Sequence, residues 1–217
     1  RWGHNADVVI RMPTGAGVGA GPFHSQSNEA WFTHVPGIKV VYPSNARDAK
    51  GLLIAAFEDP NPVMFFEHKA LYRSHTGLVP QGYYNTAIGK AALAREGHQL
   101  SIISYGMGVH WAIEQIDKMG IEADVLDLIT LVPLDHESIR QSVMKTNRVL
   151  ILHEDTKFGG LGGEIAAYIS ESLFEHLDAP VMRIASLDTA VPFAKELENV
   201  FLPQDRLERA ISDLVNY

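Results

Sequence analysis

The amino-acid sequence predicts an α/β protein with a mostly parallel sheet. Short β-rich runs alternate with helix-length amphipathic segments over almost the whole chain, which is the pattern of parallel strands joined by helices. The alternation stops over residues 73–87, where Gly, Pro and Tyr replace the periodic apolar residues. We therefore expect two domains, at residues 1–75 and 86–217, joined by a linker at 76–85.

The first domain is expected to alternate strands with helices. A short helix is predicted over NEAWFTH (28–34), and a longer one over 45–59, where Asn45 is suited to be the N-cap and apolar residues recur at helical spacing. The predicted strands are ADVVIR (6–11), IKVVYP (38–43) and NPVMFFE (61–67).

The second domain is expected to be an open parallel sheet, because four strand–helix units follow one another. Its predicted strands are 99–106, 122–128, 148–154 and 180–186, and its predicted helices are 108–119, 135–146, 162–177 and a C-terminal helix ending at 215. Ligands of such sheets gather at the carboxyl ends of the strands, which here are SYGMG, DLIT, HEDTKFGG and SLDTAV.

Charge and composition exclude several classes of function. The chain has 217 residues, with 18 Lys and Arg against 26 Asp and Glu, so its net charge is −8, and it has no block of basic residues. Neither nucleic acid nor a membrane is therefore an expected partner. The chain has no Cys, which excludes disulfides, Cys-ligated zinc and thiol catalysis and fits a reducing compartment such as the bacterial cytoplasm. Because it begins with Arg, we expect it to be part of a longer protein.

A glycine-rich stretch, PTGAGVGAGPFHSQS (13–27), follows the first predicted strand. Gly15, Gly17 and Ala20 satisfy the G-x-G-x-x-A pattern of dinucleotide-binding loops. That mechanism needs a helix to open at the end of the pattern, whereas Gly21-Pro22 follows here and the Lys-Ser/Thr of a P-loop is absent. An irregular loop that uses glycine for positive φ is the favoured interpretation.

His24 is the candidate functional residue of this stretch. Adjacent side chains on an extended segment point in opposite directions, so His24 is poorly placed to be the base for Ser25 as a nucleophile. Ser25 is more simply the N-cap or N′ residue of the next helix. His24 ends a glycine-rich connection of the kind that exposes functional groups in α/β proteins, and imidazole titrates near neutral pH.

Other candidate sites are weaker. The ten histidines form none of the spacings typical of a transition-metal site. FGGLGGE (158–164) precedes a predicted helix, so its amides could bind an anion, but a close-packed turn is favoured. EDPNP (58–62) is a carbonyl-rich turn whose oxygens could hold a hard cation, although its spacing does not demand one.

Long runs of the chain resemble a known family. Residues 22–73, from PFHSQSNEAW to FFEHKALYR, resemble the β subunit of thiamine-diphosphate-dependent 2-oxo acid dehydrogenase E1 components, which belong to the transketolase-like superfamily. VMKTNRVLILHED (143–155), GGLGGEIAAYISE (159–171) and residues 177–203 resemble the C-terminal domain of the same subunit. HSQS and FFEHKALYR are more similar to the branched-chain (2-oxoisovalerate) enzyme than to the pyruvate enzyme.

The resemblance assigns roles to particular residues. It implies that His24 is catalytic, and that it binds or protonates intermediates during decarboxylation and acyl transfer to lipoamide. It also implies a structural K⁺ ion held by main-chain oxygens of Ala56, Asp59, Asn61 and Val8. Thiamine diphosphate and Mg²⁺ would be shared with the α part of the full enzyme, which also works with an E1β homodimer partner and the E2 lipoyl acyltransferase.

Some features of the family are missing from this sequence. The family's glutamate and aromatic residue that contact the aminopyrimidine ring are expected upstream of Arg1, and no thiamine-contacting residue is assigned here. The GDG motif that binds Mg²⁺ belongs to the α subunit. The resemblance therefore implies the C-terminal half of a pyrimidine-binding α/β domain (1–75) followed by a transketolase C-terminal-like domain (86–217). Such a fragment alone is expected to be inactive.

Three alternatives stay open. Within the same enzyme class, the chain could belong to a pyruvate or acetoin dehydrogenase E1β. Transketolase and deoxyxylulose-phosphate synthase are more distant alternatives, and they should show basic phosphate-binding residues that the HSQ region lacks. Outside enzymes, the chain could be a non-catalytic domain for assembly or for docking E2, and its acidic C-terminal domain would suit a basic partner module.

Overall fold

A computed structural model describes residues 5–217. The predicted first domain starts at residue 1, so its residues 1–4 lie outside the described part. The strands are β1 (Val9–Thr14), β2 (Lys39–Val41), β3 (Val63–His68), β4 (Ala92–Arg95), β5 (Leu100–Ser104), β6 (Ala123–Asp127), β7 (Thr130–Val132), β8 (Val149–Thr156) and β9 (Met182–Ser186). The helices are α1 (Gly21–His24), α2 (Glu29–Thr33), α3 (Ala46–Glu58), α4 (Leu71–Ser74), α5 (Met107–Met119), α6 (His136–Thr146), α7 (Gly162–Ser172), α8 (Lys195–Phe201) and α9 (Gln204–Val215).

The first sheet has the strand order β1-β3-β2-β7. The strands β1, β3 and β2 are parallel, and β3, which lies between the other two, is buried along its whole length. The strand β7 pairs antiparallel with β2, with Val132 opposite Val40. A segment that follows the predicted linker by more than forty residues therefore completes the first sheet.

The second sheet has the strand order β4-β6-β5-β8-β9. The strands β6, β5, β8 and β9 are parallel, as the four strand–helix units predict, and the short strand β4 is added antiparallel to β6. The predicted α/β class with a mostly parallel second sheet is confirmed. The sequence analysis did not identify β4 or β7.

Several local predictions differ from the structure. The strand β1 runs over Val9–Thr14 and not over 6–11, and the single predicted C-terminal helix is two helices, α8 and α9. Gly21-Pro22 opens a single helical turn, α1, with Pro22 at a position in the first turn where its missing N–H costs nothing. The prediction that Ser25 is the N-cap or N′ residue of the next helix is wrong. Ser25 is the C-cap of α1, and its amide donates to the Gly21 carbonyl at 3.0 Å. The helix predicted over 162–177 ends at Ser172, and a 3₁₀ turn follows at Phe174–His176. The predicted N-cap of α3 is confirmed, since Asn45 Oδ1 accepts from the Asp48 amide.

The two sheets share one packed interface. Val40, Met64 and Phe66 of the first sheet belong to the same buried apolar cluster as Ile103, Leu126 and Ile151 of the second. The Tyr42 ring lies between Phe66 and Tyr105, at centroid distances of 5.6 and 5.4 Å. Because β1, β2 and β3 run in parallel, their carboxyl ends meet at one edge of the first sheet, and this edge carries the site described below.

The segment 75–91 contains neither helix nor strand. It runs along α3, where Lys50 Nζ donates to the carbonyls of Pro80 and Gly82 at 2.7 and 2.8 Å. In residues 5–217, no helix combines the length and the apolar character needed to cross a lipid bilayer.

Candidate active site

The glycine-rich connection between β1 and α1 is shaped by two close contacts. Gly15 has φ +99°, and a Cβ there would lie 2.4 Å from His68 Nε2. Gly21 has φ +60°, and a Cβ there would lie 2.5 Å from the ring of Phe193. Both positions need a left-handed backbone and no side chain, so the loop is built for close packing.

The amides of this loop bind carboxylates of the protein itself. The Ala16 amide donates to Glu154 Oε1 at 2.7 Å, and the Gly17 amide donates to Glu198 Oε1 at 2.9 Å. The Gly19 amide also donates to Glu198, at 3.2 and 3.3 Å to its two oxygens. Successive backbone amides of this kind form an anion-binding concavity. The pattern that resembles a nucleotide loop is therefore occupied by two carboxylates from the second half of the chain.

His24 is the last residue of α1 and is exposed. It lines a cavity of about 620 Å³ at the carboxyl edge of the first sheet. The cavity is bounded by Met12, Pro13, Thr14, Pro22, Phe23, His24, Gln26, Asn28, Trp31 and Lys69. No carboxylate is among these residues, and burial lowers the pKa of Lys69 although Glu154 opposes that effect. The cavity therefore presents an imidazole and an ammonium group, which suits an anionic ligand.

A buried polar network lies behind the loop. Glu154, at the end of β8, accepts from Ser27 Oγ at 2.9 Å, and its Oε2 lies 2.5 Å from His68 Nε2. Burial alone would raise the pKa of Glu154. The charge of His68 and its hydrogen bond oppose this effect, as do the hydrogen bonds from Ala16 and Ser27, so the pKa of Glu154 is lower than its usual value. Glu154 is therefore an anion that joins the loop, α2 and β3.

Two further carboxyl groups in this network have raised pKa values. Burial, reinforced by the nearby charge of Asp155, raises the pKa of Glu29 to about 8, although Tyr105 donates to it at 2.7 Å. Burial also raises the pKa of Asp155 to about 6. At neutral pH Glu29 is therefore predominantly protonated, which limits the negative charge buried next to Glu154.

His153 is buried beside this network, and neither of its ring nitrogens has a hydrogen-bond partner among the described residues. Burial lowers its pKa to about 4, and its ring is stacked on Tyr105 with centroids 6.2 Å apart. Gly160 and Gly162 of the FGGLGGE segment pack against this ring so closely that a Cβ on either would lie 2.6 Å from it. The glycines of that segment thus form a close-packed turn around a neutral imidazole, as the sequence analysis favoured.

The residues predicted to hold K⁺ lie at the opposite, amino end of the first sheet from His24. The Ala56 carbonyl accepts from the Asp59 amide at 3.4 Å, and the Val8 carbonyl accepts from the Val63 amide at 2.9 Å. The Asp59 side chain is paired with Lys39, and its Oδ1 accepts from the Asn61 amide at 2.9 Å. Carbonyl oxygens at a helix C-terminus are suitable ligands for a hard cation, so the donor set fits, and the K⁺ site stays a prediction.

His24, predicted to be the functional residue, lines the cavity, and its catalytic role stays a prediction. The acidic residues bonded to the glycine-rich loop and in the network behind it were not predicted from the sequence. HEDTKFGG was predicted to be a strand end at which ligands gather, but no role was predicted for its Glu154 or Asp155. Glu29 at the start of α2 is indistinguishable from an ordinary first-turn acid. Glu198 gave no signal, because its partners are backbone amides 179 and 181 residues away.

Comparisons with known proteins show the family of the chain. The family model of the transketolase pyrimidine-binding domain matches residues 1–75, and that of the transketolase C-terminal domain matches residues 89–206. The chain is 46% identical over 215 residues to the 2-oxoisovalerate dehydrogenase subunit beta of Bacillus subtilis (strain 168), covering 97% of this chain and 66% of that protein. It is 44% identical over 215 residues to the pyruvate dehydrogenase E1 component subunit beta of the same organism, covering 97% and 65%.

A solved structure supports the same fold. It is a split-gene transketolase in an inactive β4 tetramer. The match has a TM-score of 0.76 and 24% sequence identity, and it covers 98% of this chain and 67% of the transketolase chain. At this identity the likeness concerns the fold alone. The chain spans about two thirds of the length of the curated relatives it matches. With a pyrimidine-binding region followed by a C-terminal domain matched over 118 residues (89–206), the chain belongs to the transketolase family.

Proposed function

We propose that this chain supplies the β part of a 2-oxo acid dehydrogenase E1 component that uses thiamine diphosphate and transfers the acyl group to a lipoyl-bearing E2. The observation that carries the proposal is that His24 and Lys69 line the same cavity at the carboxyl edge of the first sheet. Similarity to E1 β subunits over nearly the whole chain supports it. We further propose a branched-chain substrate such as 2-oxoisovalerate.

The cavity suits the chemistry of a 2-oxo acid. Such a substrate carries a carboxylate, and Lys69 provides a cation of matching charge. The imidazole of His24 lines the cavity, and its ring nitrogens can donate or accept a hydrogen bond. His24 therefore protonates or hydrogen-bonds the reacting oxygen, while Lys69 orients the carboxylate.

The described residues alone do not fit the diphosphate and its metal ion. In residues 5–217, no three His, Asp or Glu side chains form a group that could hold a metal ion. The loop amides that could bind phosphate are already bonded to Glu154 and Glu198. We therefore assign this chain one wall of a shared site, with Mg²⁺ and the diphosphate held by an α part. An α subunit or α half, a second β copy and E2 are the proposed partners.

Substitution of His24 in the complete enzyme tests the proposal. H24A is expected to lower the rate of 2-oxo acid-dependent acylation of lipoyl-E2 by about 10²–10⁴-fold, the usual contribution of a general acid–base group. H98A is the matched control, because His98 is exposed and lies before β5, in the second half of the chain. Full activity in H24A would contradict the proposal. The isolated 217-residue chain is expected to show no turnover, and activity of that chain alone would overturn the shared site.

A pyruvate-type enzyme is the second candidate function, because a pyruvate dehydrogenase subunit is 44% identical over the same length. Assay of the complete enzyme with 2-oxoisovalerate and with pyruvate separates the two. A higher kcat/KM for 2-oxoisovalerate is expected, and a higher value for pyruvate would replace the branched-chain assignment.

A further inference from the structure

Glu198 of α8 connects the second half of the chain to the glycine-rich loop that precedes α1 and His24. Its carboxylate is 2% exposed and accepts hydrogen bonds from the amides of Gly17 and Gly19. Within the described chain, no Lys, Arg or His forms an ion pair with Glu198. The buried charge is therefore stabilised by backbone amides of the glycine-rich loop.

This arrangement has an energetic cost that the loop must offset. Burying a carboxylate without a cation is unfavourable unless hydrogen bonds replace its hydration. Bonds from amides to an ionised carboxylate are stronger than bonds between neutral groups. The carboxylate thus fixes the loop conformation, and the loop in turn keeps the carboxylate buried.

The second half of the chain also holds α1 directly. Phe193 lies against Gly21, the first residue of α1, and its ring centroid is 6.0 Å from that of Phe23. The Gly21 carbonyl accepts from Ser25, so α1 is one closed turn with His24 at its end. Glu198 therefore restrains the chain just before α1, and Phe193 restrains α1 itself.

We propose that Glu198 is a positioning residue for His24, acting through the amides of Gly17 and Gly19. The inference rests on the proposed function, because it requires that His24 takes part in the reaction. Proton transfer depends on placing the imidazole within hydrogen-bond reach of the reacting atom, and a shift of about 1 Å can cost about 10²-fold in rate. A carboxylate that fixes the preceding loop controls this distance without touching the substrate.

The proposal is tested with E198A and E198Q in the complete enzyme, each in the wild-type and in the H24A background. E198A is expected to lower kcat by about 10–100-fold with little change in KM. E198Q keeps the side-chain volume and one acceptor oxygen, so a smaller loss is expected. In the H24A background, E198A should cause no further loss, because the group that it positions is gone. E196A is the matched control, since Glu196 is exposed on the same helix, and its activity should be unchanged.

Amide hydrogen exchange gives a readout that does not depend on activity. The Gly17 and Gly19 amides should be protected in the wild type and in E196A and should exchange at least tenfold faster in E198A. Equal losses on E198A in both backgrounds, or unchanged exchange at Gly17 and Gly19, would overturn the positioning role. An H24A enzyme with full activity would instead overturn the proposed function, while the exchange data would still report the contact.

Discussion

The phenol of Tyr105 donates a 2.7 Å hydrogen bond to the carboxyl group of Glu29, which lies 76 residues earlier and in the other half of the chain. Glu29 is fully buried, and only one of its oxygens has a hydrogen-bond partner among the described residues. Its pKa of about 8 links the stability of the interface between the two sheets to pH.

Replacing Glu29 by Gln should flatten the dependence of stability on pH. The pKa of Glu29 is raised in the folded state, so its contribution is fully present below about 4.5 and is lost as pH rises towards about 8. E29Q is neutral throughout this range. The difference in unfolding free energy between E29Q and the wild type should therefore move in favour of E29Q by roughly 1–3 kcal/mol between pH 5 and pH 8. Urea unfolding at both pH values measures it.

Asp155, Glu154 and the phenols of Tyr42 and Tyr105 also face this carboxyl group, so their titration is present in both proteins and is subtracted in the comparison. E171Q is a suitable control, because Glu171 is exposed on α7. Parallel stability curves for E29Q and the wild type would contradict the assigned protonation of Glu29.

His153 should give the opposite dependence on pH. Its pKa is lowered to about 4 in the folded state, so the stability it contributes is present above about 6.5 and is lost as pH falls towards 4. H153Q removes the titrating group, and although it lowers stability at pH 7, its melting temperature should fall less between pH 7 and pH 5 than that of the wild type. An equally steep fall in both proteins would show that His153 does not stay neutral.

Gly15 and Gly17 lie in the same loop, and replacing each by alanine distinguishes the cost of a steric clash from the cost of backbone strain. Both have positive φ, but a Cβ at Gly15 would meet His68, whereas a Cβ at Gly17 would meet nothing within 4 Å. G17A should cost about 1–2 kcal/mol from the left-handed backbone alone. G15A should cost roughly 2 kcal/mol more, since it displaces the imidazole bonded to Glu154. Chemical unfolding measures both, and equal losses would show that His68 moves freely.

Potassium should stabilise the first sheet if the carbonyls of Ala56, Asp59, Asn61 and Val8 bind it. A ligand that binds only the folded state raises the melting temperature with its concentration. KCl is expected to raise it by about 2–4 °C above choline chloride at equal ionic strength, and NaCl should do so less. Identical melting temperatures in KCl and choline chloride would remove the predicted site.

The sequence predicted those parts of the fold in which local signals agree with tertiary contacts. The strands β5, β6 and β8 are rich in apolar residues and buried along almost their whole length, and they were predicted within about two residues at each end. The strand β7 was missed, because three residues directly after β6 carry too little pattern and their role depends on pairing with Val40. The strand β4 is exposed along its length and contains no β-branched residue, so propensity could not reveal it.

The candidate site was predictable to a smaller extent. His24 was predicted to be functional from its position after a glycine-rich loop and to be catalytic from the family resemblance, and that role stays a prediction. An irregular loop that uses glycine for positive φ was favoured over a nucleotide-binding loop, and Gly15, Gly17 and Gly21 do have positive φ. The binding of two carboxylates by the loop amides was not predicted. Glu154 and Glu198 reach the loop across 138 and 181 residues, and a pairing of a side chain with a backbone amide leaves no trace in one sequence.

The position of β7 in the first sheet affects how the chain folds during synthesis and how it can be split into fragments. During synthesis, the first sheet stays incomplete until residue 132 has left the ribosome. Until then, one edge of β2 has no partner strand. Pairing over such a sequence distance slows folding. If the two predicted domains were expressed separately, the first would lack β7, the edge strand of its sheet, and the second would carry β7 without its partner strand β2. Mixing the two pieces should restore the sheet, which makes the chain a natural system for fragment complementation.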